Sequence, residues 1–365
     1  MTSRFLSGLV AAALLLLSGC KDPSATAGST SGAALYAFDS TTSTVLVWTD
    51  LGTLYSTPTA ATPTKTLSSS AFTKVTNMAW GGVCLDSSSG ILYLVSADGN
   101  IVRVKNLRSQ SGAVTSTDVV SFQLASSTPF LSNSAFGQAA IDSSTNTLYI
   151  TENASSSTRI WVVPNASSQL QDASVALQAL QVTGDSGGTG VAAGGGVVYA
   201  FFKDGNGVGI DLLGGPRLRQ GTASSFSSSN TIVGSLTTLG IYGSLALDTG
   251  NSYLYVARHN TDAVSTLAPV MAFKTGQFGA TYNQAPSQSL GSATDQSDLR
   301  VLAHAGVKDW LVGLSGGGTT SSSVTPTGYA KIHLWKSPLS GTAAVVVTTT
   351  SGAVLKGLAV DGNAS

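Results

Sequence analysis

Beyond residue 32 the apolar positions fall in short runs separated by Ser, Gly, Asn and Asp. The stretch "CLDSSSGILYLVSADGNIVRV", Cys84 to Val104, shows the pattern: an apolar run, a Ser/Gly turn, a second run, a polar turn and a third run. Val, Ile, Leu, Thr and Tyr dominate the runs, which is strand chemistry, and the residues between them suit hairpin turns. No stretch beyond the N-terminal segment sustains a 3.6-residue apolar period, so the pattern predicts strands and hairpins rather than helices.

The runs repeat. An Asp is followed seven positions later by a Tyr in Asp86/Tyr93, Asp142/Tyr149 and Asp248/Tyr255. "AAGGGVVYAF" keeps Tyr199 with Gly in the turn, "AGVKDWLVGL" places Leu311 at the Tyr position, and "ALYAFD" offers Tyr36. These positions recur about every 56 residues, with one interval of 50 between Tyr149 and Tyr199. One period holds four runs; in the first full copy they are "GGVCLD", "ILYLVS", "NIVRVK" and "TDVVSFQL". Four antiparallel strands in a repeat of this size make the blade of a β-propeller. "LKGLAVDGNAS" matches the first strand of a blade, and joining it to "ALYAFD" restores the seven-step spacing from Asp361 to Tyr36. The expected fold is therefore all-β, a six-bladed propeller with four antiparallel strands per blade. Its ring is closed by the C-terminal strand pairing innermost with the N-terminal blade, which leaves no open edge at the junction.

Side-chain size agrees. The expected innermost strands, "GGVCLD", "FGQAAID", "TGVAAG", "YGSLALD", "VLAHAG" and "KGLAVD", are crowded with Gly and Ala, as a narrow axis demands. The Tyr strands and third strands such as "RIWVV" and "KIHLW" carry the bulk that fills the space between blades. The repeated Asp is expected to cap its own hairpin turn by accepting backbone N–H bonds.

The N-terminus reads separately. "MTSR" is a short basic start, and "FLSGLVAAALLLL" is an apolar run too short for a comfortable permanent span. "LSGC", Leu17 to Cys20, follows directly and resembles a bacterial lipobox, which implies cleavage before Cys20 and acylation of its thiol. An ordinary signal peptide cut nearby and an uncleaved anchor are the alternatives. Two or more acyl chains would anchor the chain stably to a membrane. Lys21, where an Asp would favour the inner membrane, points to an outer-membrane lipoprotein of the cell envelope, with the side of the membrane left open. "KDPSATAGSTSG" reads as a flexible tether. The domain division is thus 1–19 signal peptide, 20–32 lipidated Cys and tether, and 33–365 propeller.

Composition narrows the partners. Charged residues make up 10% of the 365, against roughly 25% in ordinary soluble domains, and the surface is polar through Ser and Thr, as suits an exported protein. The formal net charge is zero, so nothing electrostatic calls for nucleic acid. With Cys20 acylated, Cys84 stands alone and reads as a small buried hydrophobe.

The order of small-apolar strand ending in Asp, turn, "LYV" or "LYI", polar turn and Val-rich strand resembles NHL-type and YVTN-type propeller repeats. "LYITENASSSTRIWVV" and "LYLVSADGNIVRV" are the closest passages. The resemblance covers roughly residues 33–365 and implies the six-bladed fold. It does not choose among lactonases, strictosidine-synthase-like proteins, quinoprotein sugar dehydrogenases, sensors and binding scaffolds.

Ligands of propellers sit at the mouth of the central channel, among the loops that lead into the innermost strands and those joining second to third strands. The candidate binding face there comprises Trp80, Asp98, Asn100, Gln138, Glu152, Asn153, Lys203, Asp204, Tyr242, Arg258, His259 and Asn260. A metal-dependent lactonase would bring a Glu, an Asn and an Asp to the axis, where these strands offer Gln138 and Tyr242. A quinoprotein would need a His base with an orienting carboxylate and a cofactor cradle; Arg258, His259 and Asp262 are the nearest set. Asp204, Asn206 and Asp211 alternate faintly like a calcium loop but lack its closing Glu, and read as a hairpin. His304 and His333 read as packed residues. The sequence shows no phosphate loop, Cys/His cluster or nucleophile elbow. The expectation is a lipid-anchored envelope module that binds a protein or an envelope or extracellular ligand, with no cofactor and no metal. A lactonase-like hydrolase or quinoprotein-type dehydrogenase with an unrecognised site is the alternative.

Overall fold

The computed structural model describes residues 32–363 apart from 59–61, 126–128, 155–156, 177, 182–184, 186, 189, 206–214, 234–241, 259–267, 279–280, 283–284, 292–297, 307–309, 316–330, 337–338, 340, 342–343 and 350–352. Cys20, with the predicted signal peptide and most of the tether, lies outside the described residues. Six sheets stand in a ring and make a six-bladed β-propeller. The innermost strands of blades one to six are Leu355–Asp361, Val83–Asp86, Ala135–Asp142, Gly190–Gly194, Tyr242–Asp248 and Leu299–His304. Each touches the next around the axis, blade six to blade one included.

The ring closes as the spacing predicts. Leu355–Asp361 pairs antiparallel with Ala34–Asp39, setting Leu35 opposite Val360 and Tyr36 opposite Ala359. Blade one is completed by Thr44–Trp48 and Lys65–Ser68. Both chain ends thus contribute to one sheet.

Blades pack face to face, so strand residues are buried on both sides; every residue of Ile91–Val95 is buried. The core is accordingly not one central cluster but six wedges between neighbouring blades. Tyr36, Tyr93, Tyr149, Tyr199 and Tyr255 each belong to a different wedge. Their strand partners are small: Ala359, Cys84, Ala140, Ala192 and Ala246. A large side chain beside a small one lets the blades converge toward the axis without leaving voids. Burial pushes the Cys84 thiol far above its ordinary pKa, so it is an inert packing residue.

Blade six corrects the expected register by one residue. Leu311 pairs with His304 and packs in the wedge toward blade five. Val312, which pairs with Ala303 and packs toward blade one, holds the Tyr position. Trp310, two residues earlier on the same face, supplies the missing bulk.

The repeated Asp does cap its turn, and it also clasps the next blade. Asp86 accepts the Ser88 N–H at 3.0 Å and the Ser143 hydroxyl of blade three at 2.6 Å. Asp142 accepts the Ser144 N–H at 2.9 Å and the Gly196 N–H of blade four at 2.7 Å. Asp248 accepts the Asn251 N–H at 2.9 Å and lies 3.5 Å from the His304 imidazole of blade six. Asp361 accepts the Asn363 N–H at 3.0 Å and pairs with Arg108 of blade two at 2.7 Å. Burial pushes the Asp86 carboxyl up, but its bonds from Ser143, Ser88 and Ser89 outweigh that and hold it below the ordinary carboxylate range.

Two features lie outside the four-stranded expectation. Segments between third and fourth strands reach back and pair in parallel with the outer strand of the preceding blade. Ser174–Ala176 joins blade two, Thr281–Tyr282 joins blade four, and Ala113 bridges Ser68 of blade one. Leu51–Ser56 forms a short helix, started by Asp50, whose carboxylate accepts the Gly52 N–H at 2.9 Å. It buries Leu51 and Leu54 against the wedge between blades six and one.

Two stability outcomes are expected. Leu358→Ala, inside the closing strand and 1% exposed, should cost about 3 kcal/mol by urea unfolding; a loss under about 1 kcal/mol would mean that the strand stands outside the cooperative ring. Asp86, with a folded pKa below its unfolded value near 3.9, contributes fully above that value and loses the contribution as pH falls through the folded pKa. Ser143→Ala should therefore cost about 1 kcal/mol at pH 7 and clearly less near pH 3. Equal losses at both pH values would show that the Asp86 carboxylate does not carry the contact.

Candidate binding site at the channel mouth

Four innermost strands carry an extra residue at the same end. Pairing steps from Phe38/Gly357 to Asp39/Leu355, which bulges Lys356. It steps from Leu299/Ser315 to Val301/Leu314, which bulges Arg300. In blade three the irregularity spans Gly137 and Gln138, and in blade five Gly243 and Ser244. A bulge breaks the strict alternation of a strand and re-aims a side chain. Each of these four bulges holds a polar residue at the channel mouth.

Two of them tie the innermost strands together across the mouth. The Gln138 amide donates to the Leu245 carbonyl at 2.8 Å and its oxygen accepts from the Val191 N–H at 3.3 Å, the Leu245 N–H at 3.2 Å and the Ser244 hydroxyl at 3.2 Å. Ser244 in turn accepts the Leu302 N–H at 3.0 Å. The Gly81 N–H donates to the Lys356 carbonyl at 2.8 Å, and the Gly81 carbonyl accepts the Ala139 N–H at 3.0 Å. This chain of bonds links all six blades. Gly81 is required here: its φ is +86°, and a Cβ would stand 3.0 Å from the Gln138 side chain. Below this belt the channel has a free volume of about 110 Å³ and is lined mainly by Val, Ala and Leu, with Gln138 and His304 among the polar exceptions.

The other two face an indole. Lys356 Nζ lies 4.8 Å from the Trp80 ring centroid, and Arg300 Cζ lies 5.9 Å from it. Trp80 is half-buried, packed against the wedge between blades six and one. The turn that presents it follows the short helix Ser70–Val75, with the Met78 N–H donating to Val75 at 3.2 Å and the Gly82 N–H to Ala79 at 3.4 Å. Arg300 contacts the Asp298 carboxylate through Nε at 2.7 Å and Nη2 at 2.6 Å. Burial and the neighbouring Arg300 charge push the Lys356 ammonium below its ordinary pKa.

The sequence-predicted residues distribute unevenly. Trp80 is at the mouth. Gln138 and Glu152 are buried with their polar atoms engaged in internal bonds. Glu152 accepts the Leu131 N–H at 2.7 Å, the Ser134 hydroxyl at 2.6 Å and the Trp161 indole N–H at 2.7 Å. Asn153 accepts the Thr158 hydroxyl at 3.0 Å. Asp98 is exposed in its turn and accepts from Ser96 and from the Asn100 amide; burial pushes it up, but bonds from Ser96, Asn100 and Asn77 hold it below the ordinary range. Lys203 and Asp204 lie on the strand Val197–Gly205, and Tyr242 pairs with Arg258 across blade five. His259, Asn260, Asp262, Asn206 and Asp211 lie outside the described residues. His304 stacks on Tyr255 and His333 on Trp335, as packed residues do. Lys356, Arg300, Asp298 and Ser244 were missed. "LKGL" and "LRVL", each a lone cation in an apolar innermost strand, were the available signal.

No protein-family model matches the chain, and no curated protein matches it. Among solved structures it is similar to a chain of a nidogen/laminin complex, with TM-score 0.56 and 12% identity over 91% of this chain and 99% of that one. TolB from Acinetobacter baumannii gives TM-score 0.48 and 10% identity over 92% of this chain and 67% of that one. Identities this low speak for the fold alone.

The belt has a measurable weight. Gln138→Ala strips partners from buried backbone groups of blades four and five and should cost about 3 kcal/mol by urea unfolding. Gln138→Glu would place a carboxylate against the Leu245 carbonyl, raising its folded pKa. Its stability should therefore be nearest wild type below about pH 4 and fall away as pH rises above that. A deficit that does not change with pH would mean that the side chain does not face that carbonyl.

Proposed function

We propose that the mature chain is a lipid-anchored binding module of the cell envelope, held to the outer membrane through Cys20, whose propeller engages a protein partner at the channel mouth. One observation carries this reading: the bulges supply two cations and an indole to the rim, while the bore beneath is tied across by Gln138 and walled mainly with aliphatic side chains. A ligand is thereby received on the rim rather than drawn into the axis. The nidogen/laminin chain of similar fold belongs to a protein–protein assembly, which supports a protein as the partner. The lipobox-like "LSGC" and the tether that follows support the anchor.

Expression in a bacterial host with an alkyne-labelled fatty acid tests the anchor. Wild-type chain should take up label and sediment with outer-membrane fractions; Cys20→Ser should do neither. Unlabelled wild-type chain in the soluble fraction would refute anchoring. Detergent-extract capture with wild-type protein and with Trp80→Ala tests the rim: a protein retained by the first and lost with the second is expected, and equal retention would place binding elsewhere.

A further inference from the structure

We propose that Lys356 and Arg300, gathered around Trp80, form a recognition site for a carboxylate borne by an acidic segment of a partner protein. This rests on the binding-module reading above and names its ligand chemistry.

Geometry comes first. The two cations arise from different blades, one and six, and each occupies the single extra residue of a bulge. Without those bulges the strands would keep regular alternation, so the backbone irregularity is what delivers both charges to one indole. Arg300 already grips a carboxylate of this chain, Asp298, at 2.6 and 2.7 Å. No carboxylate among the described residues lies within ion-pair distance of Lys356. Lys356 thus lacks a carboxylate partner among the described residues, and one incoming carboxylate supplies it, whereas a phosphate would bring roughly −1.5 to −2. Half-burial strengthens the match, because a charge removed from water gains more from an opposite partner than an exposed one does. Burial first and the Arg300 charge second hold the Lys356 ammonium below its ordinary pKa, and an incoming carboxylate would favour the charged form. A protein source is favoured by residue type: Trp and Arg are the side chains over-represented at the energetic centres of protein interfaces. Asn77, exposed on the same turn as Trp80, adds a polar rim.

Fluorescein-labelled hexaglutamate, titrated with the whole propeller at low salt and read by anisotropy, tests the site. Hexaglutamate should bind and hexaglutamine should not, and added NaCl should weaken binding. Lys356→Met should weaken it about tenfold or more, and Lys356→Arg should stay within about threefold of wild type. Unchanged thermal midpoints show that the variants are folded; Lys356→Gln is the second variant should Met disturb the packing on Trp80. Equal affinity in wild type and Lys356→Met overturns the proposal, as does binding of polygalacturonate without binding of hexaglutamate. A native protein captured equally by wild type and Lys356→Met would leave the binding-module reading standing and remove the carboxylate site alone.

Discussion

No blade of this protein can bury its own apolar surface. Each sheet is apolar on both faces, and each face finds cover only on the neighbouring blade, so the hydrophobic interior is divided into six wedges. Stability is therefore a property of contacts between repeats, as in other repeat architectures, with the difference that a ring has no terminal repeat to cap. Pairing of a Tyr with an Ala or Cys on the adjoining strand sets the taper of the wedges. The carboxylates of Asp361, Asp86 and Asp142 fasten blades one, two and three to their successors.

That mutual cover explains which parts of the fold could be seen in the sequence. Tyr and Asp recur at fixed spacing because most blades solve the same packing problem with the same residues. Where Tyr is absent the signal weakens, and Val312 was mistaken for its neighbour Leu311. In a strand a slip of one residue moves a side chain to the opposite face, so the error has structural meaning. The mouth was harder. Trp80 announced itself by type, but Lys356 and Arg300 reach the rim through bulges, and a bulge leaves no mark in an alternation pattern already apolar on both faces. Gln138 and Glu152 stood out as polar residues near the axis. That both hold internal bonds follows from partners far away in sequence, such as Leu245 and Leu131.

One backbone device serves two ends at the mouth. In blades three and five the bulged residues turn inward and knit the innermost strands together. In blades one and six they carry charge to Trp80. Structural ties and charged chemistry thus occupy opposite arcs of a single circle, with the rigid half positioning the chemical half. The low-identity likeness to a chain of the nidogen/laminin complex speaks for the ring scaffold alone.

Ring closure also dictates the order in which the molecule can be finished. Tyr36 and Ala359 sit opposite each other in one sheet, far apart along the chain. Closing so long a loop instead of a hairpin costs about 3 kcal/mol, some five doublings of loop length. Burying Leu355, Leu358 and Val360 offsets this at about 2 kcal/mol each. Contacts of such separation are the slow ones in folding. During synthesis Ala34–Asp39 emerges with one edge bare and keeps it bare until residues 355–361 have followed. Among the described residues, the strand made first is the last to be completed.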